Sequence, residues 1–505
     1  MTAESSRAET PAPPQTARPV LVFWGLMLGL LLSTLDQSII AAALPSVVSE
    51  LGGLDSFTWV IIGYGLALSV TTAICGKLGD LFGHKKIFVG AVVVFVVGSS
   101  LCGIASSMPQ LIAFRILQGI GGGGLVVSAF SLVGTLFGQA ERAKYQGYTT
   151  TVFAVASIAG PLAGGLITDG LGWRWTFYVN VPIGAAALAV VGTLLVARRP
   201  EGKARIDFAG AILLAGVAVC VALVASWAGT RYPWSSPVVL GLLAGAVVMI
   251  VLWALVERRA AEPIIPPSLF RSPTFGFANA VTFLAGFAIL ATVNFLPIFL
   301  QAASGASATV SGLLLAPMMF GLVAASTYTG KTVGRLGTYR WFPPVSMAVA
   351  AVAAVLLSTM TAETSWLLVM LYSVVLGVGS GLSMPVFMIA VQGAAPPRHI
   401  GAATASVTFS RLVGAAFGVS VFGSVFAARF ATALPEHVPG APGTLQSVDD
   451  ISARALEALP PDVRAGFTAA YADSLSGVFF TAVPVLLVAL LLSLGMRDAK
   501  PKAEG

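Results

Sequence analysis

LLSTLDQSIIAAALP, residues 31–45, belongs to an apolar run of membrane length and places one carboxylate, Asp36, inside it. An acid near the bilayer core costs about 2.5 to 3.5 kcal/mol on insertion scales, so such a residue usually faces a bundle interior or a water-filled path. Every other acidic residue falls in a loop or near the end of an apolar run. The stretch therefore predicts a membrane helix in which Asp36 carries a proton. The alternative is a structural acid that pairs with a buried arginine.

The composition of the whole chain indicates the same class of protein. Of its 505 residues 57% are hydrophobic and only 10% are charged, whereas soluble domains carry about 25% charged residues. Apolar runs of about 20 residues indicate helices, because each span in lipid must satisfy its own backbone hydrogen bonds. We therefore expect an all-α polytopic membrane protein. Cys75, Cys102 and Cys220 lie in apolar surroundings and predict small core side chains rather than disulfides or metal ligands.

About fourteen apolar runs satisfy the length rule for membrane helices. They centre near residues 32, 67, 95, 121, 156, 186, 217, 246, 287, 319, 350, 378, 414 and 485. An even number of spans places both termini on one side, and the loops of that side carry most basic residues, including Lys85, Lys86, Arg142 and Arg258. The positive-inside rule predicts that this side is the cytoplasm. The preference for Arg over Lys and for Ala, Val and Gly over Ile indicates a GC-rich bacterial genome, and hence the bacterial cytoplasmic membrane.

The chain repeats one loop sequence. GKLGDLFGHKK at Gly76–Lys86 and GKTVGRLGTYR at Gly330–Arg340 share the Gly-Lys start, the Leu-Gly pair and the basic end. A duplicated six-helix unit explains both copies, and it leaves the two apolar runs between about Ile206 and Val256 as an insertion. The predicted units are a disordered cytoplasmic tail (1–18), a six-helix bundle (19–200), a linker with two extra helices (201–260), five helices of a second bundle (261–428), a long extracytoplasmic loop (429–473), the last helix (474–497) and a cytoplasmic tail (498–505).

Motifs in the predicted spans carry a family resemblance. After GKLGDLFGHKK come LIAFRILQGIGGG (111–123), ASIAGPLAGG (156–165) and WRWTFYVNVPIG (173–184), and LDQSIIAAALP precedes them all. Their order and their sides resemble the major facilitator superfamily, specifically its fourteen-span branch of drug:proton antiporters. The resemblance implies two six-helix bundles with two additional central helices, and export of drugs driven by protons that run inward. It also implies that the Gly-Pro motif serves antiport; its residues are Gly160, Pro161, Gly164 and Gly165.

Within this resemblance Asp80 is expected to hold a latch between the two bundles. Backbone N–H groups at a helix N-terminus favour an anion by about 0.3 to 1 kcal/mol, and the family suggests the start of span thirteen, near Arg398 and His399, as that helix. The expected latch residues are Gly76, Asp80, Gly83, Lys85, Lys86 and Arg398. The second loop has Gly334 in place of the acid, so the N-terminal copy alone would carry this role. The alternative is a loop whose charges only set the topology.

Arg115 is the second charge inside a predicted span. It lies about 9 Å below the outer end of span four, and Asp36 lies about 13 Å below the outer end of span one, by the rise of an α-helix. We expect Arg115 to stabilise ionised Asp36 and to be released when the acid is protonated, with Gln118 one turn away as a hydrogen-bond partner. Arg411 in span thirteen has no acid at matching depth. Three roles stay open for it: binding backbone carbonyls, steadying the second bundle, or contacting substrate.

Polar and soft apolar side chains predict the lining of a substrate cavity. On span nine Asn279, Phe283 and Asn294 recur at helical spacing and so share one face. The expected lining residues are Tyr64, Gln118, Phe153, Asn279, Phe283, Asn294, Met318 and Phe387. Ordinary bundle packing is the alternative for each of them. No acid lies between Val310 and Thr329, where the family's acid for doubly charged drugs would stand, so monocationic or neutral lipophiles are favoured.

Other classes of function lack their sequence signals. A membrane-embedded transferase would need acid, base or metal groups in a cleft. However, His84, His399 and His437 all fall in loops, and the chain contains no HExxH, GxSxG or GxxxxGKS/T pattern. Without an ATP site, an ion gradient is the expected energy source. We therefore expect a transporter rather than an enzyme.

The expected partners follow from this class of function. They are small lipophilic substrates, protons and the lipid bilayer, and the working chain is expected to be monomeric. We expect no cofactor, no metal and no nucleic-acid partner, because the net charge of +7 is explained by the basic loops. A dedicated exporter of an endogenous secondary metabolite or of a lipid is the alternative to drug export that the residues leave open.

Overall fold

The computed structural model describes residues 18–52, 57–196, 207–229, 231–260, 262–304, 306, 308–438 and 460–498. Its α-helices are α1 (Pro19–Leu51), α2 (Thr58–Phe82), α3 (His84–Gly103), α4 (Met108–Leu136), α5 (Gln139–Leu171), α6 (Trp175–Tyr178), α7 (Asn180–Leu194), α8 (Phe208–Trp227), α9 (Pro237–Glu257), α10 (Pro273–Ala285), α11 (Ala291–Ile298), α12 (Ala308–Leu336), α13 (Phe342–Ser358), α14 (Trp366–Ala394), α15 (Ile400–His437) and α16 (Pro461–Ser493). The all-α prediction is confirmed. Most of the two predicted terminal tails lies outside the described residues.

Thirteen helical segments of the described chain are long and apolar enough to cross a membrane. Two of them are composite: α6 and α7 form one span (Trp175–Leu194), and α10, α11 and two π-helices form another (Pro273–Ala303). Helix α13 is a shorter apolar helix of 17 residues. Pro343 and Pro344 lie in its first turn, where a missing backbone N–H does no harm. With α13 included, these segments correspond to the fourteen apolar runs of the sequence, and the chain is a multi-pass membrane protein.

The two copies of the loop motif fold alike. The eighth residue of each copy, Gly83 in the first and Gly337 in the second, has a positive φ, 91° and 68° respectively. Glycine adopts this backbone conformation without a Cβ penalty. The first residue of each copy lies against a helix far away in sequence. A Cβ added to Gly76 would lie 2.6 Å from a carbonyl oxygen of α15, and one added to Gly330 would lie 2.5 Å from a carbonyl oxygen of α5.

Two interfaces join the N half (α1–α7) to the C half (α10–α16). At one interface α15 packs against α2 and α4, and at the other α5 packs against α12 and α14. The extra helices α8 and α9 pack on each other, and α8 also contacts α2 and α15, so it lies along the first interface. We call the end of the molecule where α2 ends and α15 begins the basic end, and the other the opposite end. At the basic end Lys77 pairs with Glu262, which precedes α10, at 2.6 Å. The boundaries of the predicted units stay a prediction.

The predicted extracytoplasmic loop is helical at both of its ends. Helix α15 continues to His437, and α16 begins at Pro461. Aromatic side chains pack between the two helices in this region, where the rings of Phe430 and Phe467 are 5.4 Å apart at their centroids. The bounds of the loop stay a prediction, and its centre, residues 439–459, lies outside the described residues.

Candidate functional site

The carboxylate of Asp36 on α1 lies at the centre of a buried polar cluster in the N half. It accepts hydrogen bonds from the guanidinium of Arg115 on α4, from Gln118 Nε2 at 2.8 Å and from Asn180 Nδ2 on α7 at 2.8 Å. None of these four side chains is more than 2% exposed. An ionised carboxylate at this depth is thus compensated by one positive charge and two amide donors, as a buried charge requires.

Arg115 is held by more than its ion pair. One of its terminal nitrogens also donates to Gln118 Oε1 at 2.7 Å, and its Nε donates to the carbonyl oxygen of Val60 on α2 at 3.3 Å. The guanidinium carbon lies 4.2 Å from the centre of the Tyr64 ring, which suits a cation–π contact. The Tyr64 hydroxyl contacts Ser33 Oγ at 3.0 Å. The structure therefore brings the sequence-predicted acid, arginine and glutamine together in one cluster.

Glycines on the helices around this cluster explain how it closes. A Cβ added to Gly119 of α4 would lie 2.5 Å from the carbonyl oxygen of Tyr64, and one added to Gly122 would lie 2.7 Å from the Tyr64 hydroxyl. A Cβ added to Gly98 of α3 would lie 2.7 Å from the backbone nitrogen of Gln118. Larger residues would push α2 or α3 away from α4, because small residues set how closely membrane helices approach. The glycine-rich motif of span four is thus required to bury the ion pair.

Asn180 is the member of the cluster that sequence reasoning missed. Its Nδ2 donates both to Asp36 Oδ1, at 2.8 Å, and to Ser99 Oγ on α3, at 3.0 Å. The helix is interrupted between α6 and α7, so this asparagine begins α7 at the depth of the acid. The only hint in the sequence is its place within WRWTFYVNVPIG, a motif that carried the family resemblance without a role for this residue.

At the basic end, Asp80 on α2 bridges the two halves. Its two carboxylate oxygens accept hydrogen bonds from the backbone N–H groups of Gly401 and Ala402 in the first turn of α15, both at 2.8 Å. His84 Nε2 lies 3.3 Å from one of the same oxygens. The side chain of Asp80 is 3% exposed, and it sits where free backbone donors and the helix dipole favour an anion. The structure thus places Asp80 at the start of the predicted partner helix.

The other charged residues predicted for the latch have separate partners. Lys85 donates to two carbonyl oxygens at the end of α7, one of them that of Gly192 at 2.7 Å. Lys86 is exposed. The side chain of Arg398 contacts His399 Nε2 at 3.2 Å instead of Asp80. The first two therefore belong to the N half alone, and Arg398 stands beside the latch without taking part in its hydrogen bonds.

The Gly-Pro motif packs α5 on α1 within one turn of Asp36. A Cβ added to Gly160 would clash with the Ser38 side chain, and one added to Gly164 would lie 2.6 Å from the carbonyl oxygen of Ile39. A Cβ added to Gly165 would meet no heavy atom of the described chain within 4 Å. Pro161 lies inside α5. Two of the motif's glycines therefore make a close helix contact, and a role in antiport stays a prediction.

Residues predicted to line a cavity divide into two groups. Enclosed by helix packing are Tyr64, Gln118, Met318 and Phe387. The first two are used by the Asp36 cluster, which explains why they are not available to a substrate in this conformation. Phe153 and Phe283 are partly exposed, and for these two the lining role stays a prediction.

Asn279 and Asn294, predicted to line the cavity from one helix face, differ in their burial. Asn279 is buried between α10 and α15, where its Oδ1 accepts hydrogen bonds from Ser406 at 2.8 Å and from Ser410 at 3.1 Å. Asn294 is exposed. The π-helix Gly286–Leu290 lies between them, and its wider turns change the angle at which residues on either side emerge from the helix.

Hydrogen bonds between the N half and the C half lie toward the basic end in the described part of the chain. Besides the contact of α2 with α15, the hydroxyls of Thr150 and Ser326 are 2.6 Å apart where α5 meets α12. Gln392 Nε2 on α14 donates to the carbonyl oxygen of Phe130 on α4 at 3.2 Å. The two halves are therefore joined at the end that the positive-inside rule predicts to be cytoplasmic.

A model of the Major Facilitator Superfamily matches residues 26–419, which include the Asp36 cluster and both sides of the Asp80 contact. The chain belongs to this superfamily. Relatives in it cover nearly the whole chain. An uncharacterized MFS-type transporter of Mycobacterium tuberculosis is 42% identical over 485 residues, which are 95% of this chain and 69% of that protein.

Two further relatives carry names that refer to multidrug transport or multidrug resistance. Multidrug transporter protein MdtP of Bacillus subtilis is 33% identical over 96% of this chain and 94% of its own length. Multidrug resistance protein 3 of the same organism is 35% identical over 96% of both chains. The present chain is therefore a transporter of the major facilitator superfamily with multidrug transporters among its relatives.

Solved structures of transporters share the fold. The human organic anion transporter MFSD10 matches with a TM-score of 0.63 and 15% identity, over 94% of this chain and 99% of that one. A bacterial homolog of the human lysosomal transporter Spinster, in an inward-facing and unoccupied conformation, matches with a TM-score of 0.55 and 17% identity, over 97% of this chain and 100% of that one. At these identities the likeness concerns the fold alone.

Proposed function

We propose that this transporter is a proton-coupled antiporter that exports lipophilic compounds, drugs and toxic molecules among them, across the bacterial cytoplasmic membrane. The names of the two Bacillus subtilis relatives support drug export. The distribution of basic residues supports a cytoplasmic position for both termini and for the basic end. The observation that carries proton coupling is the Asp36 cluster. In this proposal the monomer is the working unit.

Protonation of Asp36 changes the balance of the cluster. The ionised carboxylate faces the Arg115 guanidinium and two side-chain amides, and all of these groups are buried. When a proton neutralises the acid, the guanidinium loses its counterion, and breaking a buried pair in this way costs about 3 to 5 kcal/mol. The arginine then needs another partner, so α1, α4 and α7 have to shift against one another. Binding of a proton is thereby coupled to a rearrangement of helices.

The contacts at the basic end concern the conformational change that transport requires. Because the hydrogen bonds between the halves lie at that end, the basic end is closed in this conformation. A closed basic end fits the step in which substrate leaves and protons enter on the outer side. Opening the basic end requires that Asp80 release the first turn of α15 and that Thr150 separate from Ser326. A proton bound by Asp36 is released to the cytoplasm once the basic end has opened.

The experiment uses purified protein in liposomes with an imposed pH gradient, and it measures accumulation of the dye rhodamine B, which carries no net charge, together with proton flux. Asp36→Asn fixes the neutral form, so the dye should still exchange across the membrane but should not accumulate against its gradient. Asp36→Glu keeps the charge and should retain part of the accumulation. Asp169→Asn changes an exposed acid of α5 and serves as the matched control. Full gradient-driven accumulation by Asp36→Asn would refute coupling through this acid.

The preference for monocationic or neutral lipophiles stays a prediction. The carboxylate of Asp36 is buried and already accepts hydrogen bonds from three side chains, one of them the Arg115 cation, so a cationic substrate would have to compete with that arginine for it. The partly exposed rings of Phe153 and Phe283 supply aromatic surface for a lipophilic molecule. Neutral lipophiles therefore fit the proposal better than cations do.

A further inference from the structure

Arg411 is an interior charge that neither the Asp36 cluster nor the Asp80 contact uses. It stands eleven residues after the start of α15 at Ile400, so it lies about 17 Å along the helix axis from the basic end. Among the described residues no carboxylate pairs with its guanidinium, and no backbone or side-chain acceptor receives a hydrogen bond from it. The guanidinium carbon lies 5.8 Å from the centre of the Phe153 ring. A charge inside a membrane protein ordinarily has a partner, because its insertion costs about 2.5 to 3.5 kcal/mol.

The contact with Phe153 shows where this guanidinium points. Helix α15, which carries Arg411, meets the N half at α2 and α4, whereas α5, which carries Phe153, meets the C half at α12 and α14. A contact between these two residues therefore crosses the interior between the halves. Phe153 stands three residues beyond Thr150, whose hydroxyl is bonded to Ser326 at 2.6 Å. The guanidinium thus lies next to the interior limit of the closed basic end, and it is partly exposed there.

We propose that Arg411 binds an anionic group of the transported substrate, namely a carboxylate, while the lipophilic part of the substrate packs against Phe153. The inference rests on the proposed export function and specifies its substrate class. A planar guanidinium offers five donors and binds a carboxylate through two parallel hydrogen bonds. Since Asp36 is already neutralised by Arg115, the remaining interior charge on Arg411 attracts an anion and repels a cation. The substrates are therefore amphiphilic carboxylates, zwitterions included, rather than simple lipophilic cations.

Two dyes with one ring system test this inference. Rhodamine B carries a free carboxylate, and in rhodamine B ethyl ester the same carboxylate is blocked. Binding to the purified transporter in detergent is measured by fluorescence anisotropy, without a pH gradient, so that the result does not depend on proton coupling. The wild-type protein should bind rhodamine B roughly tenfold more tightly than the ester, since a charge-assisted hydrogen-bonded pair contributes on that order. Arg411→Gln should remove this difference by weakening rhodamine B binding alone.

Companion variants separate recognition from stability. Arg411→Lys keeps the charge without the planar fork and should retain part of the preference. Phe153→Ala should weaken the binding of both dyes alike. Arg271→Gln changes an exposed arginine near the basic end and should leave both affinities unchanged. If Arg411→Gln does not fold, the inference is tested with Arg411→Lys instead. Its preference for rhodamine B over the ester should then be smaller than that of the wild type and of Arg271→Gln.

Two results would overturn the inference. One is a wild-type protein that fails to prefer rhodamine B over its ester. The other is an Arg411→Gln variant that melts at the wild-type temperature and keeps the preference. A failure of gradient-driven accumulation while the preference for the carboxylate persists would refute proton coupling and leave the assignment of Arg411 supported.

Discussion

Replacing Asp80 by asparagine is expected to weaken the closed state of the basic end. In the wild type each carboxylate oxygen accepts one backbone N–H bond, from Gly401 and from Ala402. Asparagine has nearly the same size, but it is neutral, and only one of its two terminal atoms accepts a hydrogen bond. At one of the two contacts the amide NH2 group of the asparagine therefore faces a backbone N–H group, so two donors oppose each other. The attraction between the carboxylate and the dipole of α15 is also lost.

The free energy that the closed state loses follows from these two changes. A hydrogen bond to a charged group contributes about 1.5 to 3 kcal/mol and a neutral one about 0.5 to 1.5 kcal/mol, and a charge at a partly buried helix terminus contributes up to about 2 kcal/mol. The side chain of Asp80 is only 3% exposed, so solvent screens it weakly. Because the two effects overlap, we expect a total loss of about 2 kcal/mol. The ratio of closed to open molecules should then fall roughly thirtyfold, since about 1.4 kcal/mol is a factor of ten.

The measurement is the distance between spin labels on the two halves. Labels at the exposed positions Lys86, on α3, and Arg340, between α12 and α13, report the separation of the halves at the basic end in a background without the three native cysteines. Asp80→Asn should raise the population of long distances. Asp169→Asn removes the same charge at an exposed site of α5 and should match the wild type. An unchanged distance distribution together with unchanged transport would remove Asp80 from the mechanism.

Three further substitutions test the contacts around these sites. Gly401→Ala would place a Cβ 2.7 Å from the Asp80 carboxylate and should open the basic end in the same distance measurement; an unaltered distribution would contradict the contact. Asn180→Ala removes one donor from the Asp36 carboxylate and should lower gradient-driven dye accumulation about tenfold with little change in dye binding, so wild-type accumulation would exclude this asparagine from coupling. Gly164→Ala brings a Cβ within 2.6 Å of a carbonyl oxygen of α1 and should lower the unfolding free energy by about 1 to 3 kcal/mol, seen as a lower melting temperature in detergent.

The apolar runs by themselves determined that this chain is a helical membrane protein. A backbone that crosses lipid has few ways other than a helix to satisfy its hydrogen bonds. The duplicated loop motif predicted a duplicated unit, and in both copies the eighth residue, Gly83 or Gly337, has a positive φ. Asp36 and Arg115 could be chosen as candidates from local sequence alone, and Asp80 was chosen from the family resemblance of its loop. A charge inside a span or at the end of a helix has energetic consequences wherever that helix packs.

The residues that contact these charges lie on helices that are far apart in sequence and pack together only in the tertiary structure. Asn180 reaches Asp36 across 144 positions of the chain, a separation that no local pattern describes. A π-helix lies between Asn279 and Asn294, and its wider turns depart from the regular spacing of 3.6 residues in a way that the apolar pattern does not reveal.

The surroundings of Arg411 likewise could not be predicted from the sequence. From the sequence, this arginine had no acid at its depth, and its role stayed undecided. In the tertiary structure it meets Phe153 across the interior, because α15 and α5 belong to different halves and pack at different interfaces. Local sequence determines which segments enter the membrane and which charges they carry, since both depend on the residues of one helix. Only the packing of the two halves decides which charge is neutralised and which faces the substrate.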